Sequence, residues 1–493
     1  MNLKGFDNDL YIKLQSQNIA KRTKKFEKLY LEFGGKLFDD FHASRVLPGF
    51  EPDSKIKMLM NIKDKVEIMF VINASDIEKN KMRGDLGITY AQDLFRLIDA
   101  FRGNGLFVGS VVITKYDNQE TAKKLRKKLE NSNIKVAYHY AIDNYPNDVE
   151  KILSKDGFGK NEYIKTDRDI VVVTAPGPGS GKMATCLSQM YHDNQNGIKA
   201  GYAKFETFPI WNIPLNHPVN LAYEAATVDL DDVNMIDPFH LEAYNEIAIS
   251  YNRDVEAFPV LNELLKNITG KSIYKSPTDM GVNMVGNCMI DDVACKKASK
   301  DEVIRRYYDA LVAATKDEAN EDLVSKLETI MKKIDTSPEE RKVIFEAKKI
   351  EEKTKMPGFA IELPNGEIVT GKTSNLLGCA SAALLNAIKI LAGLPDIHLL
   401  TQSVIEPIQE LKTKHLKGHN PRLHTDEVLI ALAIGSLTDE NCKKALDAIP
   451  LLKNCEAHST VILSEVDYKL FKKLEIRVTQ SPIYQVKKLY HGN

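Results

Sequence analysis

The residues best suited to chemistry lie between Asp169 and Lys182, where Ile-Val-Val-Val-Thr-Ala runs into Pro-Gly-Pro-Gly-Ser-Gly-Lys. An apolar strand that enters a glycine-rich turn and ends in lysine has the parts needed to hold a phosphate. The glycines let several backbone N–H groups converge on one anion, the following helix offers its free N–H ends, and the lysine adds a mobile positive charge. Gly177, Gly179, Ser180, Gly181 and Lys182 are therefore the expected phosphate- or nucleotide-binding residues. The loop departs from the Walker pattern twice. Pro176 stands where the first glycine belongs, and Met183 stands where a Ser or Thr would ligate magnesium. A thioether is a poor ligand for so hard a cation, and Thr185 points to another side of the helix. The expected ligand is ATP, with or without magnesium, or another small phosphorylated molecule.

A second segment, Gly366-Glu-Ile-Val-Thr-Gly-Lys-Thr373, satisfies the Walker pattern at every position. Its variable residues favour strand, and Phe359-Ala-Ile-Glu-Leu before Pro364-Asn365-Gly366 reads as strand followed by turn. The expectation here is a hairpin, because a phosphate loop needs coiled residues. Lys372 retains one role outside that pattern, since it precedes a helix starting near Leu376 that could accept an anion.

Other constellations carry weaker chemistry. Asn420-Pro-Arg-Leu-His-Thr-Asp-Glu427 gathers Arg422, His424 and Asp426 before a helix. Arg422 could clamp a phosphate or carboxylate and His424 could transfer a proton, so these three are the catalytic candidates; the alternative is a capped helix start. His415 and His419 have a zinc-like spacing, but Gly418 and Pro421 break the helix between them and no metal site is expected. Glu456, His458 and Ser459 offer acid, base and nucleophile without the elbow that would present a nucleophile. The irregular run 207–220 reads as a lid or pocket wall, with Glu206, Trp211, Asn212, His217 and Asn220 as pocket candidates, or else as a proline-braced crossing segment. Asp229, Asp231, Asp232, Asp237, Asp291 and Asp292 fit helix caps or surface charges better than metal ligands.

These residues need a scaffold, and the pattern of elements supplies one. Residues 8–30 read as an amphipathic helix, and a short strand then enters Gly34-Gly35-Lys36, itself a plausible anion turn. From Lys65, strands at Val66–Asn73, Leu106–Thr114, Lys135–Ile142, Ile170–Ala175 and Ala200–Glu206 alternate with helices. The expected fold is α/β, a doubly wound and mostly parallel Rossmann-like sheet, with a helical insert and a C-terminal mixed α/β domain. The corresponding domains are 1–225, 226–355 and 356–493. In the insert, Ser337-Pro-Glu-Glu340 reads as a capping box opening a helix. Beyond it come the hairpin, a helix at 376–393, a strand near Ile397–Leu400, helices near 404–414 and 439–448, a strand at Thr460–Leu463, a helix at 465–474 and a last strand at Ile476–Thr479.

The 493 residues carry 67 basic and 68 acidic side chains, so no global field draws the protein to nucleic acid or an anionic membrane. No signal peptide or membrane span is expected, and six cysteines without a framework spacing fit a reducing cytoplasm. The lysine- and glutamate-rich helices of the insert suggest a homo-oligomer.

Taken together, the Ala175–Lys182 loop, Tyr223-Glu-Ala-Ala-Thr227, the Asn420–Glu427 segment and Cys455-Glu-Ala-His-Ser-Thr460 resemble the bacterial family designated domain of unknown function 1846. The resemblance covers nearly the whole chain. It implies a bacterial cytoplasmic protein and carries no activity or catalytic residue. Three readings follow from the residues: a nucleotide-dependent transferase or hydrolase, a Rossmann-like enzyme using a phosphorylated cofactor or sugar nucleotide without magnesium, and a non-catalytic oligomeric sensor or scaffold.

Overall fold

The computed structural model describes residues 4–35, 37, 38, 40–83, 86–316 and 321–485, with Glu321 by its backbone alone. The chain divides into two compact units, Lys4–Ala298 and the residues from Ser299 onward. The 226–355 segment expected as a helical insert is thus shared between them.

In the first unit seven strands form one sheet: β1 (Lys28–Phe33), β2 (Val66–Asn73), β3 (Phe107–Tyr116), β4 (Lys135–Tyr140), β5 (Ile170–Thr174), β6 (Ala200–Phe205) and β7 (Gly281–Val282). Their order is β7-β6-β1-β5-β2-β3-β4, and every pairing is parallel. All eight residues of β2 and all five of β5 are buried, which is why both read as unbroken apolar runs: a parallel sheet is covered on both faces. The main covering helices are α1 (Asn8–Thr23), α2 (Tyr90–Gly103), α3 (Glu120–Glu130), α4 (Lys182–Gln195), α5 (Pro218–Ala226) and α6 (Asn252–Thr269). On one face Tyr30, Val171, Val173 and Tyr202 pack with Cys186, Leu187 and Met190 of α4 and with Leu261 and Leu265 of α6. On the other, Phe70 of β2 meets Phe101 of α2 edge-on. The doubly wound parallel sheet read from sequence is present.

One element of that reading is corrected. The first helix ends at Thr23, and Lys28–Phe33 is the interior strand β1, not the tail of a helix. Thr23 to Phe26 forms a turn, after which Leu29, Tyr30 and Leu31 have no exposed surface, so burial on both faces of a strand outcompetes helical continuation. The phosphate-loop strand is consequently the fifth parallel strand of the chain. Lys36, the lysine of the Gly34-Gly35-Lys36 turn, lies outside the described residues.

The second unit is built on α7 (Asp292–Thr315), which begins before its boundary, and on α8 (Glu321–Lys333), α9 (Lys342–Thr354), α10 (Cys379–Leu391), α11 (Gln402–Glu410), α12 (Thr425–Gly435), α13 (Glu440–Asp447) and α14 (Glu465–Lys473). Its strands are β8 (Gly358–Glu362), β9 (Ile368–Lys372), β10 (Glu456–Ser459) and β11 (Arg477–Gln480), in the order β9-β8-β10-β11. Only the β10–β11 pairing is parallel, so the sheet is mixed. α10 supplies Ala383, Leu384 and Ile388 to the main core on one face, and α9 sets Val343 and Ala347 against Ala360 on the other.

Three local expectations are corrected here. Residues 397–400 are irregular, with a bend at 399–400, the strand expected at 460–463 lies at Glu456–Ser459, and Ser337-Pro-Glu-Glu340 forms a single 3-10 turn, with α9 starting only at Lys342 because Arg341 is extended. Glu456 and His458 sit inside this strand because partners distant in sequence satisfy them, Arg305 and Arg341 on the first and Thr479 and Ser481 on the second.

Candidate functional site

The glycine-rich loop leaves β5 at a reversal of topology. From β5 the chain crosses to β6 beyond β1, whereas from the adjacent β2 it moves to β3 on the other side. Ligands of open α/β sheets bind in such a crevice, outside the carboxyl ends of the strands. Gly179 (φ +69°) and Gly181 (φ +92°) adopt the left-handed region, and Gly181 is the N-cap of α4. A side chain at Gly177 would run into the ring of Tyr90, and one at Gly181 would begin 3.3 Å from Thr114. Thr114, at the end of β3, donates its hydroxyl to the Ser180 carbonyl at 2.5 Å and so fixes the loop from the far side of β2.

Two hydroxyls stand out in this frame. Ser180 is 4% exposed and Thr185 is fully buried, and neither Oγ has a hydrogen-bond partner. Leaving a buried hydroxyl unmatched costs about 1 to 3 kcal/mol. Lys182 occupies the first position of α4 and has no carboxylate partner among the described residues. Met183 is part of the apolar packing of α4 on the sheet, which accounts for a thioether where Walker loops place a hydroxyl. Gly177, Gly179, Ser180, Gly181 and Lys182 are therefore brought together, with the backbone geometry read from sequence.

Beside the loop, the ends of β1 and β6 carry a charged cluster that sequence reasoning largely missed. Glu32 accepts a hydrogen bond from the Tyr202 hydroxyl at 2.7 Å. Lys204 bridges Glu206 and Asp254 at 2.5 Å each. Burial pushes the Glu206 carboxyl up to about 7, against the pull of Lys204 and with repulsion from Asp254. The signal for Glu32 was present: a carboxylate two residues before Gly34-Gly35, directly after the apolar run Leu29-Tyr-Leu31. Among the described residues, no three His, Cys, Asp or Glu side chains converge as ligands for a metal ion.

The other pocket candidates hold the irregular segment together. Asn220, fully buried, accepts from the Ile210 N–H at 2.7 Å and donates to its carbonyl at 3.0 Å. His217 caps α5 through Nδ1 and meets Asp292 at 2.7 Å through Nε2. Asn212 is exposed with its Oδ1 against Gly286, and Trp211 donates its indole N–H to the Asn283 carbonyl. The crossing-segment reading of 207–220 describes these contacts, and Glu206 alone faces the charged cluster. Asp237 and Asp291 cap helical turns, accepting from the N–H groups of His240 and Ala294.

In the second unit Arg422, His424 and Asp426 are neighbours whose side chains turn to different partners. Arg422 donates from Nε to the Ser374 carbonyl at 2.7 Å, and Asp426 accepts from the Glu427 N–H. The carboxylate beside His424 is Asp467, 3.0 Å from Nδ1 and 43 residues away in sequence. Asp467 also accepts from the N–H and hydroxyl of Thr425 and from the hydroxyl of Ser464. That hydrogen bond holds the His424 imidazole above its ordinary pKa. Glu456, His458 and Ser459 do not form a triad: His458 faces Thr479 and Ser481, while Ser459 donates to the Val461 carbonyl. The complete Walker match is a hairpin, with Ile368–Lys372 antiparallel to Gly358–Glu362 and Gly366 in the turn at φ +84°.

The first unit is thus a doubly wound α/β protein with a glycine-rich loop at the switch point of its sheet. The profile "Domain of unknown function DUF1846, N-terminal" matches residues 4–335 and its C-terminal companion matches residues 339–490. The chain belongs to that family. It is 56% identical to a UPF0371 protein of Streptococcus uberis over 99% of this chain and 100% of the relative. Identity is also 56% to a UPF0371 protein of Corynebacterium diphtheriae, and 55% to one of Streptococcus pyogenes serotype M5, each over 99% of both chains. Among the described residues no helix is long and apolar enough to cross a membrane.

Proposed function

We propose that the protein binds a phosphorylated small molecule through residues 177–182 without requiring magnesium, as an enzyme acting on that molecule. The observation that carries this reading is the Ser180 hydroxyl, buried without a partner in a loop that ends at the N-terminus of a 14-residue helix. A phosphate oxygen would meet that hydroxyl, the N–H groups of the first helical turn and Lys182 together. Met183, committed to apolar packing, supports binding without a loop-bound metal. A nucleotide-dependent transferase or hydrolase remains the reading if magnesium proves necessary. Six buried free cysteines support a reducing compartment such as the cytoplasm.

Titrating the protein with ATP and with inorganic phosphate by calorimetry, with and without magnesium, tests this. The expected result is saturable binding unchanged by magnesium and weakened about tenfold or more by Lys182→Ala. Absence of binding by either compound to folded wild-type protein overturns the reading.

A further inference from the structure

The loop has a neighbour that bears on what its ligand carries besides phosphate. β1 lies directly against β5, with Glu32 in register with Val173, two residues before the loop begins. Tyr30, on the same side of β1, packs with Cys186, Leu187 and Met190, so Glu32 lies on the face covered by α4. Lys182 opens α4 and Cys186 follows one turn later, so the loop lysine starts the helix that covers the face on which Glu32 lies.

Glu32 has spare hydrogen-bonding capacity. A carboxylate offers about four acceptor directions, and the one side-chain donor it meets among the described residues is Tyr202. Lys204, level with Glu32 on β6, is engaged by Glu206 and Asp254. Tyr145 packs against the same core as Cys186 and Tyr30, and its hydroxyl is buried without a partner. Beside a phosphate cradle with its own unmatched hydroxyls at Ser180 and Thr185, the molecule thus sets an acceptor-rich carboxylate and a phenol that can donate or accept. A second anionic group would be repelled by Glu32. A neutral group with several hydroxyls would donate to Glu32 and accept from Tyr145.

We infer that the ligand is a sugar phosphate, its phosphate on residues 177–182 and its hydroxyls on Glu32 and Tyr145. The inference rests on the phosphate-binding reading and narrows it. Calorimetry with inorganic phosphate and with the terminal phosphate esters of ribose and glucose, on wild type, Glu32→Gln and Tyr145→Phe, separates the two. One of the esters is expected to bind about tenfold more tightly than inorganic phosphate, and in the variants the two affinities converge. Esters that bind no better than phosphate, or an advantage that survives both substitutions, overturn the sugar assignment and leave the phosphate loop standing. If neither phosphate nor ester binds folded wild type, both readings fall. Tyr145→Phe keeps the ring packing, so it decides the matter if Glu32→Gln does not fold.

Discussion

Residues 177–182 and residues 366–373 show how little a motif says apart from its setting. The second matches the phosphate-loop pattern at every position, yet Lys372 lies in a strand of an antiparallel hairpin. The first misses two positions, yet it coils between a parallel strand and the N-terminus of α4. The difference lies in what flanks the glycines. Around Gly371 the residues Ile368, Val369 and Thr370 extend and pair with β8, so successive N–H groups point to opposite sides of the strand and do not converge. Around Gly179 and Gly181 the backbone turns left-handed, and the N–H groups at the start of α4 have no intrahelical acceptor. Convergent free N–H groups bind anions, whatever the sequence that produces them.

The largest expected effect tests whether the hairpin's sheet is fixed by its own ion network. Glu456, beside β8, meets Arg305 at 2.8 Å and Arg341 at 2.6 Å, with Arg477 at 3.4 Å. Burial opposes ionisation, but these three guanidinium groups bring the Glu456 carboxyl down to about 2. Glu456→Ala strands buried arginines and should destabilise the second unit by about 3 to 5 kcal/mol, read by urea unfolding. Because the pKa is depressed, the stabilisation is present above the usual value of 4.5 and is lost as pH falls toward 2. Wild-type stability should fall across that window, whereas Glu456→Gln should change much less.

At the loop itself, Gly177→Val drives a side chain into Tyr90. It should cost about 1 to 3 kcal/mol and abolish the phosphate binding proposed for wild type. Binding that survives this substitution would sever the loop from the ligand. A smaller effect separates the two units by pH. Glu206 has a raised carboxyl, so its contribution is full below the usual 4.5 and disappears as pH rises through about 7, opposite to Glu456. Glu206→Gln should stabilise the first unit by about 1 to 2 kcal/mol at mildly alkaline pH and leave it little changed in acid, measured by thermal unfolding. The smallest effects belong to the hairpin. Gly366→Ala meets no atom within 4 Å but must hold φ +84°, costing about 1 kcal/mol. Lys372→Ala should leave phosphate binding unchanged, and a tenfold loss there would undo the comparison.

Much of this architecture was legible because a buried parallel strand has few ways to be written. Val66–Asn73 and Ile170–Thr174 are continuous apolar runs, and only a sheet covered on both faces buries them whole. The loop was legible for a related reason: glycine is the residue that enters the left-handed region without strain, so its positions mark where the chain must turn. β1 was harder to read because Lys28 and Glu32 interrupt its pattern. Both become compatible with a strand through partners elsewhere, Asp193 near Lys28 and Tyr202 on Glu32.

By itself, then, the sequence determined the class of fold, the strand–loop–helix at 169–195 and the hairpin at 358–372. Each depends on steric and apolar preferences acting within a few residues. Only the tertiary structure decided that Asp467 rather than Asp426 orients His424, that Glu456 is buried among arginines, and that Glu32 takes its hydrogen bond from Tyr202. These are electrostatic and hydrogen-bonded pairings between residues tens to more than a hundred positions apart, and what selects them is the crossing of strands and helices in space. Local residue types constrain a polar side chain to find a partner; the fold chooses which partner it finds.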